Sequence, residues 1–323
     1  MWTFGRVGIS LLIVGFLILY LPLPVLSTAL KRVSLADMGI GIGGTLCAHF
    51  LGIIKWRLQL RAAHVKLGFI DATSSYGAGL FANMWLPSVV GGDVLRTGLA
   101  MRLTGRKGAV IVGSLIDRIG DVICLCFLAV LGSFFVPGVL DSLGRSVLTF
   151  SAVGLALAGM SGGALLFYRS PRWWPPRMRR QVVHLRIALW RVIQNYRLVF
   201  TGLGLSLCIQ SIFVLLNAFL GKTIGMVVPL GLWFFAWPLA KLTALIPISL
   251  GGLGIQELAL SGLLLPFGMA FALTVAQGLL WRGVCIATGL VGGLIWFVLG
   301  RINCQGFRPT GRLKEEVIRS KAL

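Results

Sequence analysis

Two proline–glycine interruptions most constrain what this chain can fold into. The first reads Leu86-Pro87-Ser88-Val89-Val90-Gly91-Gly92-Asp93, and the second reads Ile246-Pro247-Ile248-Ser249-Leu250-Gly251-Gly252-Leu253-Gly254. Pro87 matches Pro247, Gly91 matches Gly251 and Gly92 matches Gly252, and both copies lie inside apolar stretches. Proline and glycine break helices, and a broken helix at membrane depth persists only where it is buried in protein or lines a polar cavity. Two such breaks at corresponding points of two halves point to a transporter-type binding site.

A membrane protein is expected because 57% of the 323 residues are hydrophobic and only 12% are charged. Six segments approach the ~20 residues of a spanning helix, at roughly 7–29, 35–54, 108–135, 146–168, 198–221 and 269–299. The first of these lacks the flanks of a cleaved signal peptide and reads as a retained helix. Two further segments, roughly 70–103 and 229–266, carry the breaks. The expected fold is therefore all-α and polytopic, with about six full spans plus two broken re-entrant hairpins.

The net charge of +21 does not indicate nucleic acid, because the basic residues sit mostly in short connections between apolar segments. They follow the rule that places Lys and Arg in cytoplasmic loops. Lys55, Arg57, Arg61 and Lys66 follow the second span, and Arg102, Arg106 and Lys107 follow the first broken segment. Eight arginines fill the connection 169–197, and more basic residues fill the tail 304–323. If one broken segment dips in from each face and returns, these clusters all fall on the cytoplasmic side. Both termini are then cytoplasmic, and the halves, about 1–160 and 161–303, form an inverted repeat within a single membrane domain, 1–303. The basic stretch 179–196 has the composition of a helix lying on an anionic leaflet.

Charges inside apolar segments mark the candidate site. Asp93, Asp117, Asp121 and Glu257 are the acidic members, and Arg96, Arg118, Lys241 and Arg282 the basic ones. A charge at a helix centre costs about 2.5–3.5 kcal/mol to insert, so unpaired retention is disfavoured. Asp93 and Arg96 share a helix face, as do Asp117 and Asp121. A cation between the latter two would relieve their repulsion, and Arg96, Arg118 or Arg282 has the reach. Glu257 would pair with Arg282 or Lys241. Such a cluster either pins the hairpins to the surrounding helices, or forms a polar site for a charged head group or a proton relay. Helix N-termini after each Gly-Gly, together with the arginines, favour an anionic group such as phosphate.

His49, Gln210, Asn217 and Gln277 read as interhelical hydrogen-bonding residues. The run from Gly39 to Gly44 reads as a close-packing face. No catalytic residue set, metal spacing or cofactor loop is present in the sequence, and the cysteines have packing rather than ligand spacing.

Asn83-x2-Leu86-Pro87, Gly91-Gly92-Asp93-x2-Arg96, Asp117-Arg118-x2-Asp121, Ile246-Pro247-x3-Gly251-Gly252-x-Gly254-x2-Glu257 and Arg282 together resemble the lysylphosphatidylglycerol synthase transmembrane-region, or flippase-like, family. The resemblance covers essentially the whole chain. It implies a bacterial-type inner-membrane protein that binds and flips lipids or isoprenoid-linked glycolipids. Its site residues would be Asp93, Arg96, Asp117, Arg118, Asp121, Glu257 and Arg282. The 323 residues hold no aminoacyl-transferase domain, so synthase activity is not expected of them. A separate membrane-bound transferase is then the expected protein partner, and an accessory that only presents lipid to it is the alternative. Related sequences often carry Glu where Asp117 stands, one methylene longer.

Overall fold

The structure is a computed structural model that describes residue 28 and residues 31–85, 91–136, 176–245 and 254–306. All regular structure among them is helical: α1 (Leu35–Ala62), α2 (Phe69–Trp85), α3 (Gly91–Thr104), α4 (Lys107–Phe134), α5 (Pro176–Gln194), α6 (Tyr196–Thr223), α7 (Leu230–Thr243), α8 (Ile255–Leu264) and α9 (Phe271–Gly306), with one 3-10 turn, Leu265–Phe267. Apart from residue 28, the expected spans at 7–29 and 146–168 lie outside the described residues, as do Pro87, Pro247, Gly251 and Gly252.

Local chemistry sets the helix ends. Ser34 begins α1 by accepting from the Asp37 amide at 3.1 Å, while its own amide donates to the Asp37 carboxylate at 2.9 Å. This reciprocal pair satisfies two donors that a helix start leaves free. Gly254 precedes α8 at φ +81°, a conformation that suits a residue without a Cβ, and its amide donates to Glu257 Oε2 at 2.9 Å.

Among the described residues, three helices are long and apolar enough to cross a membrane: Leu35–Ala62, Tyr196–Thr223 and, within α9, Phe271–Gly300. Their outer faces expose Phe50, Phe200, Leu294 and Phe297, as a lipid-facing surface does. The protein is an all-α, multi-pass membrane protein. α4 matches α1 in length, but Asp117, Arg118 and Asp121 interrupt its apolar character. Helix α1 also runs eight residues past the expected end of its span. Lys55 is therefore a helical, buried residue and not part of a cytoplasmic loop cluster, which corrects the sequence reading.

The broken segments each form two short helices. At 1.5 Å per residue, α2 and α3 reach roughly 25 and 21 Å, and α7 and α8 roughly 21 and 15 Å, all short of the ~30 Å hydrocarbon core. Helix α3 folds back on α2 at Gly92. Its amide donates to Asn83 Oδ1 at 2.8 Å, and a Cβ at Gly79 would sit 2.7 Å from the Gly92 carbonyl. Only glycine permits this approach.

The packing partners are reciprocal. α1 packs on α6, α2 on α9, and α7 on α4. Glycine makes two of these contacts close: Gly77 and Gly292 join α2 to α9, and Gly132 abuts the Phe234–Phe235 backbone of α7. Gly41 and Gly44 of α1 face Leu220 and Leu216 of α6, while Gly39 and Gly43 meet nothing within 4 Å. The core centres on Phe213, Trp233, Trp237, Leu232 and Ala276. α5 seats Ala188 and Val192 against Ala62, Ala63 and Val112, and leaves Val183, Ile187, Trp190 and Ile193 exposed.

Candidate functional site

A cavity of about 610 Å³ opens among α1–α4 and α6–α9. Its walls include Thr45, His49 and Lys55 of α1, Ile209 and Phe213 of α6, and Trp281, Cys285 and Gly289 of α9. These residues lie around the middles of the three spanning helices, so the cavity sits at the depth where exposed charge is most costly.

One side is a buried ion-pair lattice. The Lys55 ammonium lies 2.7 Å from Asp121 Oδ1 and 3.1 Å from Asp117 Oδ1. Arg96 Nη2 donates to Asp117 Oδ2 at 2.7 Å, and its Nε lies 3.1 Å from Asp93 Oδ1. Arg118 pairs with Asp93 Oδ2. The contacts of Arg96 Nε and Asp117 Oδ1 are ion pairs by distance, without hydrogen-bond alignment. The Arg96 guanidinium also lies over the rings of Trp56 and Tyr76, 5.0 and 5.1 Å from their centroids. Trp56 is held in turn by its indole N–H, which donates to Ser114 Oγ at 3.1 Å.

The other side is more open. Arg282 Nη2 lies 3.2 Å from Glu257 Oε1. Lys241 donates to Gln210 Oε1 at 2.8 Å, and the Gln210 amide nitrogen donates to Asp121 Oδ1 at 3.2 Å. The Lys241 ammonium stands over Phe213 and Trp237 at 4.5 and 4.7 Å. Tyr76 and His49 approach at 3.5 Å, and Gln277 donates to Asn217 at 2.6 Å deeper in the bundle.

Burial divides these charges into two kinds. The Lys55, Arg96 and Asp117 side chains are 4%, 7% and 1% exposed, whereas Arg118 and Arg282 are 32% and 30% exposed. The first three cross-link α1, α3 and α4. The two open arginines are each held by a carboxylate and still have guanidinium donors to offer.

Of the residues singled out from sequence, Asp93, Arg96, Asp117, Arg118 and Asp121 come together in one lattice, and Glu257 and Arg282 form a separate pair. Gly91 and Gly92 open α3. The cation between Asp117 and Asp121 is Lys55, and none of the arginines considered for it. Asn83 and Gln210 also have roles that charge counting alone does not find. Among the described residues, no group of three or more His, Cys, Asp and Glu side chains has the geometry to hold a metal ion.

The sequence model of the family described as "Lysylphosphatidylglycerol synthase TM region" matches residues 4–293. No curated protein and no solved structure matches the chain.

Proposed function

Because the chain belongs to the lysylphosphatidylglycerol synthase transmembrane-region family, we propose that its mid-membrane cavity binds an anionic lipid head group and carries it across the bilayer. Such a head group loses its hydration in hydrocarbon, at a cost of several kcal/mol or more. Donors fixed at mid-depth replace the lost water. The observation that carries this reading is the pair of open arginines, Arg118 and Arg282, facing one polar cavity from α4 and α9. Asp93 and Glu257 orient them, while Lys55, Arg96, Asp117 and Asp121 hold the walls.

The two halves are read as an inverted repeat with re-entrant hairpins, alternately opening the cavity to either face. Element order supports this: among the described residues, α1–α4 and α6–α9 each run long helix, two short helices, long helix. The reciprocal packing of α2 on α9 and α7 on α4 supports it too. So does a shared ion-pair register. Asp93 and Glu257 are each the third residue of the second short helix, and each pairs with an arginine 25 residues on. The reading places the protein in a bacterial-type inner membrane with both termini cytoplasmic, and it involves no catalytic step.

Proteoliposomes carrying a head-group-labelled fluorescent phosphatidylglycerol, with a membrane-impermeant quencher outside, test the proposal. Wild-type protein accelerates loss of the protected fluorescence over protein-free vesicles, and folded Arg282→Ala does not. Binding without acceleration would instead make the protein an accessory that presents lipid to a separate transferase.

A further inference from the structure

Among the described residues, the cavity holds one cation with no carboxylate within ion-pair distance. Lys55, Arg96, Arg118 and Arg282 each have a carboxylate oxygen within 3.2 Å. Among the described residues Lys241 has none within 4.0 Å, and its ammonium donates to Gln210 Oε1 alone. Gln210 acts as a spacer. Its amide nitrogen is committed to Asp121, which turns the carbonyl oxygen toward the lysine and keeps the two charges apart. The faces of Phe213 and Trp237 steady the ammonium without cancelling it. Two of its three N–H donors remain for a ligand.

The charge count gives this position its meaning. Among the described residues, five cations meet four carboxylates in and around the cavity, leaving one positive charge at mid-membrane depth. That charge is costly there until an anion enters. A phosphodiester brings one negative charge. A zwitterionic head group brings its own cation and restores no balance.

We propose that Lys241 is the specificity residue of the cavity, selecting lipids whose phosphodiester carries a net negative charge over zwitterionic lipids with the same phosphodiester. This rests on the head-group reading of the cavity. Arg118 and Arg282 grip any phosphate, and Lys241 reads the net charge. Trp281, perpendicular to Trp237 with centroids 6.1 Å apart, extends the aromatic wall beside it.

Native mass spectrometry of the full chain in detergent, with dioleoylphosphatidylglycerol and dioleoylphosphatidylcholine competing, tests this. Wild-type protein retains the glycerol lipid with a preference of about tenfold, the factor that ~1.4 kcal/mol of uncompensated charge produces. Lys241→Gln loses that preference while keeping phosphatidylcholine binding, and Lys241→Arg retains it. Inorganic phosphate does not displace the lipid; displacement would assign the site to a free anion and overturn the lipid proposal. An unchanged preference in Lys241→Gln would overturn the role of Lys241. If Arg118→Gln and Arg282→Gln then abolished binding, the head-group cavity would still stand. If those two bound lipid like wild type, the cavity reading would fall as well.

Discussion

Replacing Asp117 tests whether the buried lattice is structural and the open arginines are not. Its carboxylate is 1% exposed and touches two cations, Lys55 at 3.1 Å and Arg96 at 2.7 Å. Breaking a buried ion pair by removing one partner costs about 3–5 kcal/mol, because the other charge stays buried. Both cations keep a second carboxylate here, Asp121 at 2.7 Å and Asp93 at 3.1 Å. That places Asp117→Ala near the lower end, at about 3 kcal/mol. Arg282→Ala removes a partner 30% exposed to the cavity and leaves Glu257, 9% exposed, with the Gly254 amide as a remaining partner, so the loss lies between the exposed-pair and buried-pair ranges, at about 1–2 kcal/mol. Reversible unfolding in mixed micelles with increasing dodecyl sulfate measures both. Asp117→Asn, which keeps an acceptor but no charge, falls between them. If Asp117→Ala were no less stable than Arg282→Ala, the separation into structural and ligand-facing charges would be wrong.

Two further outcomes follow from the packing. Gly92→Ala drives a methyl into the Gly79 carbonyl and Asn83 Oδ1, so it destabilises by about 1–3 kcal/mol or more, while Gly98→Ala, with nothing within 4 Å, is close to neutral; thermal unfolding compares them. A double-mutant cycle with Glu257→Gln and Arg282→Gln gives a coupling of about 1–2 kcal/mol, because Glu257 is buried and Arg282 is not. The same cycle on Lys55→Gln and Asp117→Asn gives about 2 kcal/mol or more.

Much of the fold was legible because proline and glycine act locally. Gly91 and Gly92 did open a helix, and the broken segments did become pairs of short helices. The site was legible as a set of charges, because charge inside an apolar run is anomalous wherever it later packs. What could not be read was which charge meets which. Lys55 follows a long apolar run and precedes Arg57 and Arg61, so loop statistics assign it to a cytoplasmic cluster. Its burial depends on Asp117 and Asp121, about 60 residues away on another helix. A local signal did exist: Gly52, Trp56 and Leu60 continue the buried face of α1 past Lys55 at helical spacing. Lys241 was legible as a misplaced cation, but its pairing with Gln210 and two aromatic rings depends on three-dimensional placement alone.

Photo-cross-linking tests the central claim most directly. A phosphatidylglycerol bearing a photoreactive group on its head group is incorporated with the full chain in nanodiscs, irradiated, and the adducts are mapped by mass spectrometry. The account predicts adducts on cavity residues of α4, α7 and α9, around Arg118, Lys241 and Arg282, with a yield that falls in folded Arg282→Ala. Adducts confined to the outer lipid-facing positions, such as Leu290, Leu294 and Phe297, would contradict it.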